Sequence, residues 1–112
     1  MTVVYFTENT DRKIIGFTSH GHAGYKKRGP DIVCAAISIL TINAVNSLEE
    51  IADADFVHSE DQKEGIISVK LKSRPDEKTE TIFRSLILGL KGISAEYGSK
   101  YCKVTVKEEI QC

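Results

Sequence analysis

Residues 21–38, GHAGYKKRGPDIVCAAIS, join a predicted strand to a predicted helix and contain the chain's most unusual residues. The preceding residues 14–20 are rich in β-branched and aromatic side chains, which favours a strand. Pro30 suits a helix start, and Asp31 can accept hydrogen bonds from the first free backbone N–H groups of a helix. This pattern places His22 just after a strand and Cys34 in the first turn of a helix.

The helix that follows is predicted from about Asp31 to near Ile51. Its apolar residues recur at spacings of three and four, which makes one continuous stripe. The stripe consists of Val33, Ile37, Leu40, Ala44, Leu48 and Ile51. Because Ile39 and Ile42 extend the apolar surface almost around the helix, a second helix or a partner subunit is expected to cover it.

The remaining residues predict four more strands or strand-like segments and a second helix. Together with residues 14–20, the predicted strands cover 2–7, 56–58, 66–72 and 102–107, with a charged turn at 59–65. The second helix is introduced by residues 73–76, ends at Gly98, and has an apolar face of Ile82, Leu86, Leu90, Ile93 and Tyr97. The order β-β-α-β-β-α-β predicts one α+β domain over residues 1–112, with a mostly antiparallel sheet and two helices packed on one face.

Composition is that of an ordinary soluble globular domain, with 41% hydrophobic and 28% charged residues. The net charge of -1 removes the long-range argument for nucleic acid, so we expect no direct nucleic-acid partner. The start of the chain lacks the pattern of a signal peptide, and no apolar run approaches the roughly 20 residues of a membrane span. We therefore expect a cytoplasmic protein without membrane contact, whose three cysteines are thiols.

The pairing of His22 with Cys34 suggests a cysteine nucleophile and its base. A thiol is a strong nucleophile as the thiolate, which a helix N-terminus or a nearby imidazolium favours. In this hypothesis His22 takes the thiol proton, Cys34 attacks a carbonyl carbon, and N–H groups at the helix start stabilise the oxyanion. Asp31 either orients the imidazole or caps the helix, and Ser38 shares the helical face of Cys34.

Other interpretations stay open at this point. A cysteine in an apolar helix is often a small buried hydrophobic residue, and a histidine beside a glycine is often a surface residue. His20, His22 and Cys34 supply three candidate metal ligands, but they lack the paired spacing of zinc sites, so we expect neither a metal nor another cofactor. Lys26, Lys27 and Arg28 form either a solvated loop tip or a contact for an acidic substrate or an RNA-bound partner.

The motif residues resemble those of the ribosomal-processing cysteine protease family, Prp, formerly a family of unknown function. The resemblance rests on Gly21-His22-Ala23, Gly29, Asp31 to Ala36 and Ser38. It implies a homodimeric bacterial enzyme that removes a short N-terminal extension from the precursor of large-subunit ribosomal protein L-twenty-seven.

In this resemblance His22 and Cys34 match the catalytic pair, and Asp31 and Ser38 match supporting positions. Gly21, Gly24 and Gly29 fall where the family has a flexible loop over its active site. A loop that orders only on the right peptide would restrict cleavage to the cognate substrate. The alternative function is a non-catalytic ribosome-assembly or interaction module, in which the same loop binds a partner.

Overall fold

Five strands and two helices follow one another in the order β-β-α-β-β-α-β among the residues that the computed structural model describes, 1–24 and 31–109. The elements are β1 (Thr2–Glu8), β2 (Ile14–His20), α1 (Ile32–Glu50), β3 (Phe56–Asp61), β4 (Ile66–Leu71), α2 (Glu77–Tyr97) and β5 (Cys102–Glu108). The predicted order is confirmed.

The strands form a single mixed sheet in the order β3-β4-β2-β1-β5. β1 pairs in parallel with β5, whereas the β1–β2, β2–β4 and β3–β4 pairs are antiparallel. The parallel pair arises because α2 carries the chain from β4 across β2 and β1 to the far edge. The prediction of a mostly antiparallel sheet in an α+β fold is therefore confirmed.

The core lies between one face of the sheet and the two helices. Phe6 and Phe17 are cross-strand partners on this face, and their ring centroids are 5.5 Å apart. Phe17 also packs edge-on against Phe83 of α2, with the centroids 6.2 Å apart. Val4 and Val69 are buried on the same face, and α1 packs against α2. This packing confirms that both helices lie on one face of the sheet.

Helix α1 buries a stripe close to the predicted one, with a difference at its end. Val33, Ile37, Ala44 and Leu48 are buried, but Ile51 is the C-terminal cap and is 64% exposed. The stripe instead includes Thr41, whose hydroxyl donates to the carbonyl oxygens of the preceding turn and is thereby satisfied. The assignment of Ile51 to the buried stripe was wrong, because the helix ends before Ile51 reaches the core.

The strand β3 is longer than predicted. Residues 59–65 read as a charged turn, but Ser59, Glu60 and Asp61 continue β3 and pair with Ser68, Ile67 and Ile66 of β4. All three are exposed on an edge strand, which is held by its backbone pairing with β4. The turn is consequently shorter than the sequence indicated and brings Gly65 close to the end of β2.

Helix α2 begins with a complete capping box. The carboxylate of Asp76 accepts from the N–H of Thr79, and the Thr79 hydroxyl accepts from the N–H of Asp76. Glu80 accepts from the N–H of Ile14, and Arg84 donates to the Glu8 carboxylate. These contacts fasten the β1–β2 hairpin to the first turns of α2.

By length and composition alone, α1 is apolar enough to cross a membrane, and it is the one helix of the described residues that passes this test. Its 19 residues correct the expectation that no apolar run approaches the length of a span. Core helices pass the same test, and the buried side of α1 packs in the core of this fold.

Candidate active site

A cleft opens at one end of the sheet, where the chain leaves β2, enters α1 and turns from β3 into β4. Its walls come from these three places and from the start of β1. The lining residues are Thr2, Ser19, Gly21, His22, Cys34, Ile37, Ser38, Thr41, Glu60, Asp61, Gln62, Gly65, Ile66 and Ile67. The structure thus brings His22, Cys34 and Ser38 together, as the sequence predicted.

Cys34 is held in the first turn of α1 by the cap that Asp31 forms. One carboxylate oxygen of Asp31, Oδ1, accepts from the N–H groups of Val33 at 3.0 Å and Cys34 at 2.9 Å. The backbone carbonyl of Asp31 accepts from Ala35 at 3.0 Å. Of the two roles considered for Asp31, capping is the one that the structure shows.

The cap also bears on how an oxyanion would be stabilised. The sequence hypothesis offered N–H groups at the helix start to the oxyanion, and two of these, those of Val33 and Cys34, already bond to Asp31. Their role towards a tetrahedral intermediate stays a prediction, which now requires the Asp31 carboxylate to move aside or to share these donors.

His22 lies just beyond β2 and is directed by the glycine before it. Gly21 has a φ of +93°, a conformation that side-chain-bearing residues rarely adopt. Its N–H donates to the carbonyl of Gly65 at 3.0 Å, and a Cβ at this position would lie 2.6 Å from the backbone oxygen of Met1. The turn that delivers His22 to the cleft therefore has room only for glycine.

The imidazole of His22 is exposed, whereas the Cys34 side chain is half-buried. Both side chains line the cleft, but among residues 1–24 and 31–109 no hydrogen bond joins them directly. Catalytic hydrogen bonds are often long before substrate binds and tighten in the complex. Ser38 lies one helical turn after Cys34, is half-buried, and borders the same cleft.

Cys102 has the opposite environment from Cys34. It is fully buried at the start of β5, and its thiol contacts the carbonyl oxygen of Leu90 at 3.9 Å. Burial raises the pKa of the Cys102 thiol, because an apolar surrounding disfavours the thiolate. This cysteine belongs to the core and not to the cleft.

No cluster of three or more histidine, cysteine or acidic side chains capable of holding a metal ion occurs in the described part of the chain. Of the three predicted loop glycines, Gly21 lines the cleft and Gly24 follows it with a φ of +69°. Gly29, with the rest of residues 25–30, lies outside the described residues. The gating role of these glycines and the roles of Lys26, Lys27 and Arg28 stay predictions.

The end of β3 and the turn into β4 supply site residues that sequence reasoning missed. Glu60 and Asp61 read as members of a charged turn, and Gly65 as a simple turn glycine. The alternating pattern from Ile66 onward marked where the next strand begins, but nothing in it placed that turn beside His22. The β2–β4 pairing creates this contact, because His20 lies opposite Ile66 in the sheet.

Comparison with known proteins identifies the family. The family model described as cysteine protease Prp matches residues 1–103. The chain belongs to the Prp family. As a Prp protein it is a cysteine-type peptidase. It is 24% identical over 91 residues to the ribosomal processing cysteine protease Prp of Bacillus subtilis, and the match covers 78% of this chain and 81% of that relative.

Two solved structures share the whole fold. A crystal structure of Staphylococcus aureus Prp, with a covalently linked product peptide, has a TM-score of 0.88 at 23% identity and covers 96% of this chain and 100% of that one. A Streptococcus mutans structure has a TM-score of 0.83 at 27% identity, over 97% and 96% of the two chains. The five-stranded mixed sheet with two helices is thus the architecture of the family.

Proposed function

We propose that this Prp-family peptidase removes the N-terminal extension from the precursor of bacterial ribosomal protein L-twenty-seven, with Cys34 as nucleophile and His22 as base. The observation that carries the proposal is the placement of both side chains in one cleft, with Cys34 in the first turn of α1. The relative from Bacillus subtilis is named a ribosomal processing protease, and Staphylococcus aureus Prp was crystallised with a substrate peptide.

In the proposed reaction, His22 accepts the proton of the Cys34 thiol while the sulfur bonds to the scissile carbonyl carbon. The tetrahedral intermediate collapses as the C–N bond breaks, and the leaving amine takes the proton from His22. A water molecule, deprotonated by His22, then attacks the thioester and releases the new carboxyl group. The thiol and the neutral imidazole are regenerated, and no cofactor takes part.

The other predicted residues support this pair. Asp31 fixes the first turn of α1 and so the position of Cys34, and Ser38 provides a hydroxyl one turn further along the cleft. We assign Gly21, Gly24 and Gly29 to the loop that admits the substrate. Because such a loop orders on the cognate peptide, unrelated proteins such as casein are expected to remain uncut.

We also propose that the protein acts as a homodimer in the cytoplasm, with the outer face of α1 in the subunit interface. Ile39 and Ile42 are 68% and 51% exposed, and their spacing of three residues places them side by side on this face. Ile39→Lys is expected to convert a dimer into monomers in analytical ultracentrifugation. Leu88→Lys, at a 74% exposed position on α2, is the matched control and should leave association unchanged.

The catalytic proposal is tested by incubating the protein with the L-twenty-seven precursor and measuring the intact masses of the products. We expect one cleavage that removes the extension, lost in Cys34→Ala and in His22→Ala. His20→Ala, which changes an exposed histidine two residues away, is the matched control and should retain cleavage. Full turnover by Cys34→Ala or His22→Ala would overturn the assignment.

The non-catalytic alternative gives a different result in the same assay. A ribosome-assembly module would bind the precursor without changing its mass, and binding would survive alkylation of Cys34. Cleavage that stops when Cys34 is alkylated supports the peptidase.

A further inference from the structure

The turn between β3 and β4 touches the imidazole of His22 through Gly65. A Cβ built on Gly65 would lie 3.0 Å from Nε2 and 3.1 Å from Cε1 of this ring. Because non-bonded carbon atoms pack best at roughly 3.5–4.0 Å, only a hydrogen fits between Gly65 and the ring in its present orientation. We infer that Gly65 is a positioning residue that sets the direction of the His22 imidazole for proton transfer with Cys34, an inference that rests on the proposed roles of both residues.

The same glycine also fixes the backbone that carries His22. Its carbonyl oxygen accepts from the N–H of Gly21 at 3.0 Å, which ties the residue before His22 to the β3–β4 turn. The φ of Gly65 is +66°, so its backbone turns in a conformation that glycine adopts readily. Gly65 therefore holds His22 in two ways: its carbonyl fixes the backbone, and its Cα hydrogen borders the ring.

The contact with Gly65 matters because no hydrogen bond of the described residues holds the His22 ring. The imidazole is exposed and makes no hydrogen bond within residues 1–24 and 31–109. Proton transfer requires the donor and acceptor atoms to come within hydrogen-bonding distance. A ring that rotates freely would satisfy this condition only part of the time, whereas one that rests on Gly65 has fewer orientations available.

Substitution of Gly65 changes its contact with the ring and keeps the carbonyl that accepts from Gly21. Gly65→Ala adds a methyl group 3.0 Å from Nε2 of the ring and 3.2 Å from the backbone oxygen of Gly21. Gly65→Asn also adds a Cβ, but asparagine tolerates positive φ better than alanine does. If strain in the backbone were the cause of a defect, Gly65→Asn would recover activity; if the contact is the cause, it would not.

Gly98→Ala is the matched control. Gly98 has a φ of +117° at the end of α2, and a Cβ there would meet the Tyr101 side chain at 3.6 Å, an ordinary contact distance. Like Gly65, it has a positive φ, but it lies outside the cleft. We expect the Gly98→Ala variant to cleave the precursor with the kcat and KM of the wild-type protein.

For both Gly65 variants we expect kcat to fall about 10- to 100-fold with KM changed less than about twofold, since a misdirected base slows the chemical step and leaves binding intact. The rate of Cys34 alkylation by iodoacetamide should fall in parallel and its pH profile should move. In a His22→Ala background, Gly65→Ala should have no further effect on alkylation, because its influence passes through the missing ring.

The outcomes distinguish this inference from the proposed function. If His22→Ala alone leaves both cleavage and alkylation unchanged, the proposed dyad fails. If His22→Ala impairs them but Gly65→Ala and Gly65→Asn do not, or if Gly98→Ala impairs them equally, only the role of Gly65 is overturned. Equal effects of Gly65→Ala with and without His22 would also overturn it.

A measurement on the unaltered protein covers the case in which the Gly65 variants do not fold. Proton NMR should show a strong nuclear Overhauser effect between an α-hydrogen of Gly65 and Hε1 of His22. Absence of this effect in the folded protein would contradict the contact and, with it, the positioning role.

Discussion

The two helices begin in the same way and are completed differently. Both have an aspartate at the N-cap, Asp31 in α1 and Asp76 in α2, and each accepts from the N–H of the third helical residue. In α2 that residue is Thr79, which returns a hydrogen bond and closes a capping box, and Glu77 and Glu80 add negative charge to the first turn. In α1 the third residue is Cys34, and the first turn carries no acidic residue.

The difference shows that the same kind of N-cap can stabilise a helix in the core and can also hold a residue of the cleft. Acidic side chains in the first turn of a helix neutralise the positive end of its dipole, and α2 uses them for stability. In α1 the acid at this end is the N-cap Asp31, which accepts from the N–H groups of Val33 and Cys34, and the first turn adds no further acid. The start of α1 thus lacks part of the stabilisation that α2 has, and its third residue is the cysteine that we propose as the nucleophile.

Exchanging the third residues of α1 and α2 should give the largest effect, because it is expected to change activity and stability in opposite directions. Cys34→Thr gives α1 the residue that α2 has and is expected to abolish cleavage, by about 10³-fold or more, because the nucleophile is gone. The new capping box should raise the free energy of unfolding by about 0.5–1 kcal/mol. Urea denaturation and the mass assay measure the two effects.

The reciprocal variant Thr79→Cys is the control for this exchange. It removes the capping box of α2 and should lower stability by about 1 kcal/mol while cleavage continues. If Cys34→Thr still cleaved the precursor, the third residue of α1 would not be needed for activity, and the two helix starts would not differ in this respect.

Cys102, which lies at the start of a strand, should be alkylated more slowly than Cys34. At neutral pH, iodoacetamide is expected to modify Cys34 about 10²-fold faster than Cys102, because Cys102 is buried and its raised pKa keeps it protonated. Peptide mapping after brief labelling measures the ratio. Equal labelling of the two sites in folded protein would contradict the assignment of Cys102 to the core.

The same burial predicts a loss of stability at high pH. As the pH rises through 9.0, the ordinary value for the Cys102 thiol, the unfolded chain loses this proton while the folded chain retains it. The contribution of Cys102 is therefore fully present below that pH and declines above it. Cys102→Ala should remove this part of the alkaline decline in thermal denaturation scans.

Removing the N-caps should affect stability at both helices but activity at one. Asp31→Ala and Asp76→Ala are each expected to lower the free energy of unfolding by about 1–2 kcal/mol. Only Asp31→Ala should also lower kcat, by about tenfold, because it loosens the turn that holds Cys34. If Asp76→Ala lowers kcat as much, the effect is global and the two caps are equivalent.

Adding an acid to the first turn of α1 should give the smallest effect. Ile32 is exposed at the first position of α1, where α2 has Glu77. Ile32→Glu is expected to slow Cys34 alkylation about threefold at neutral pH and to add about 0.3–1 kcal/mol of stability. Ile32→Gln supplies the uncharged comparison, and an equal effect of the two variants would exclude charge as the cause.

The sequence was sufficient to predict the elements that depend on interactions between neighbouring residues. The strand Ile14–His20 was predicted with its observed bounds, and Asp31, Asp76 and Gly98 marked the helix ends, because caps act through neighbouring backbone groups. The convergence of His22 and Cys34 followed from a short connection between a strand and a helix.

What could not be predicted depends on residues far apart in the chain. The charged end of β3 became a strand through pairing with β4, and Gly65 reached His22 only through the β2–β4 register. Such contacts have no signature in local periodicity.

The parallel pairing of β1 with β5 has a consequence for the order in which the molecule is made. The N–H of Thr2, a residue of the cleft wall, donates to the carbonyl of Tyr101 at 3.0 Å. At the other end of the strand pair, the N–H of Glu109 donates to the carbonyl of Glu8 at 2.7 Å. During synthesis, β1 therefore waits for β5 before its second edge is paired. A growing chain has Thr2, His22 and Cys34 before it has the residues that hold Thr2 from the other side, so the synthesis of β5 is the step that fixes this wall of the cleft.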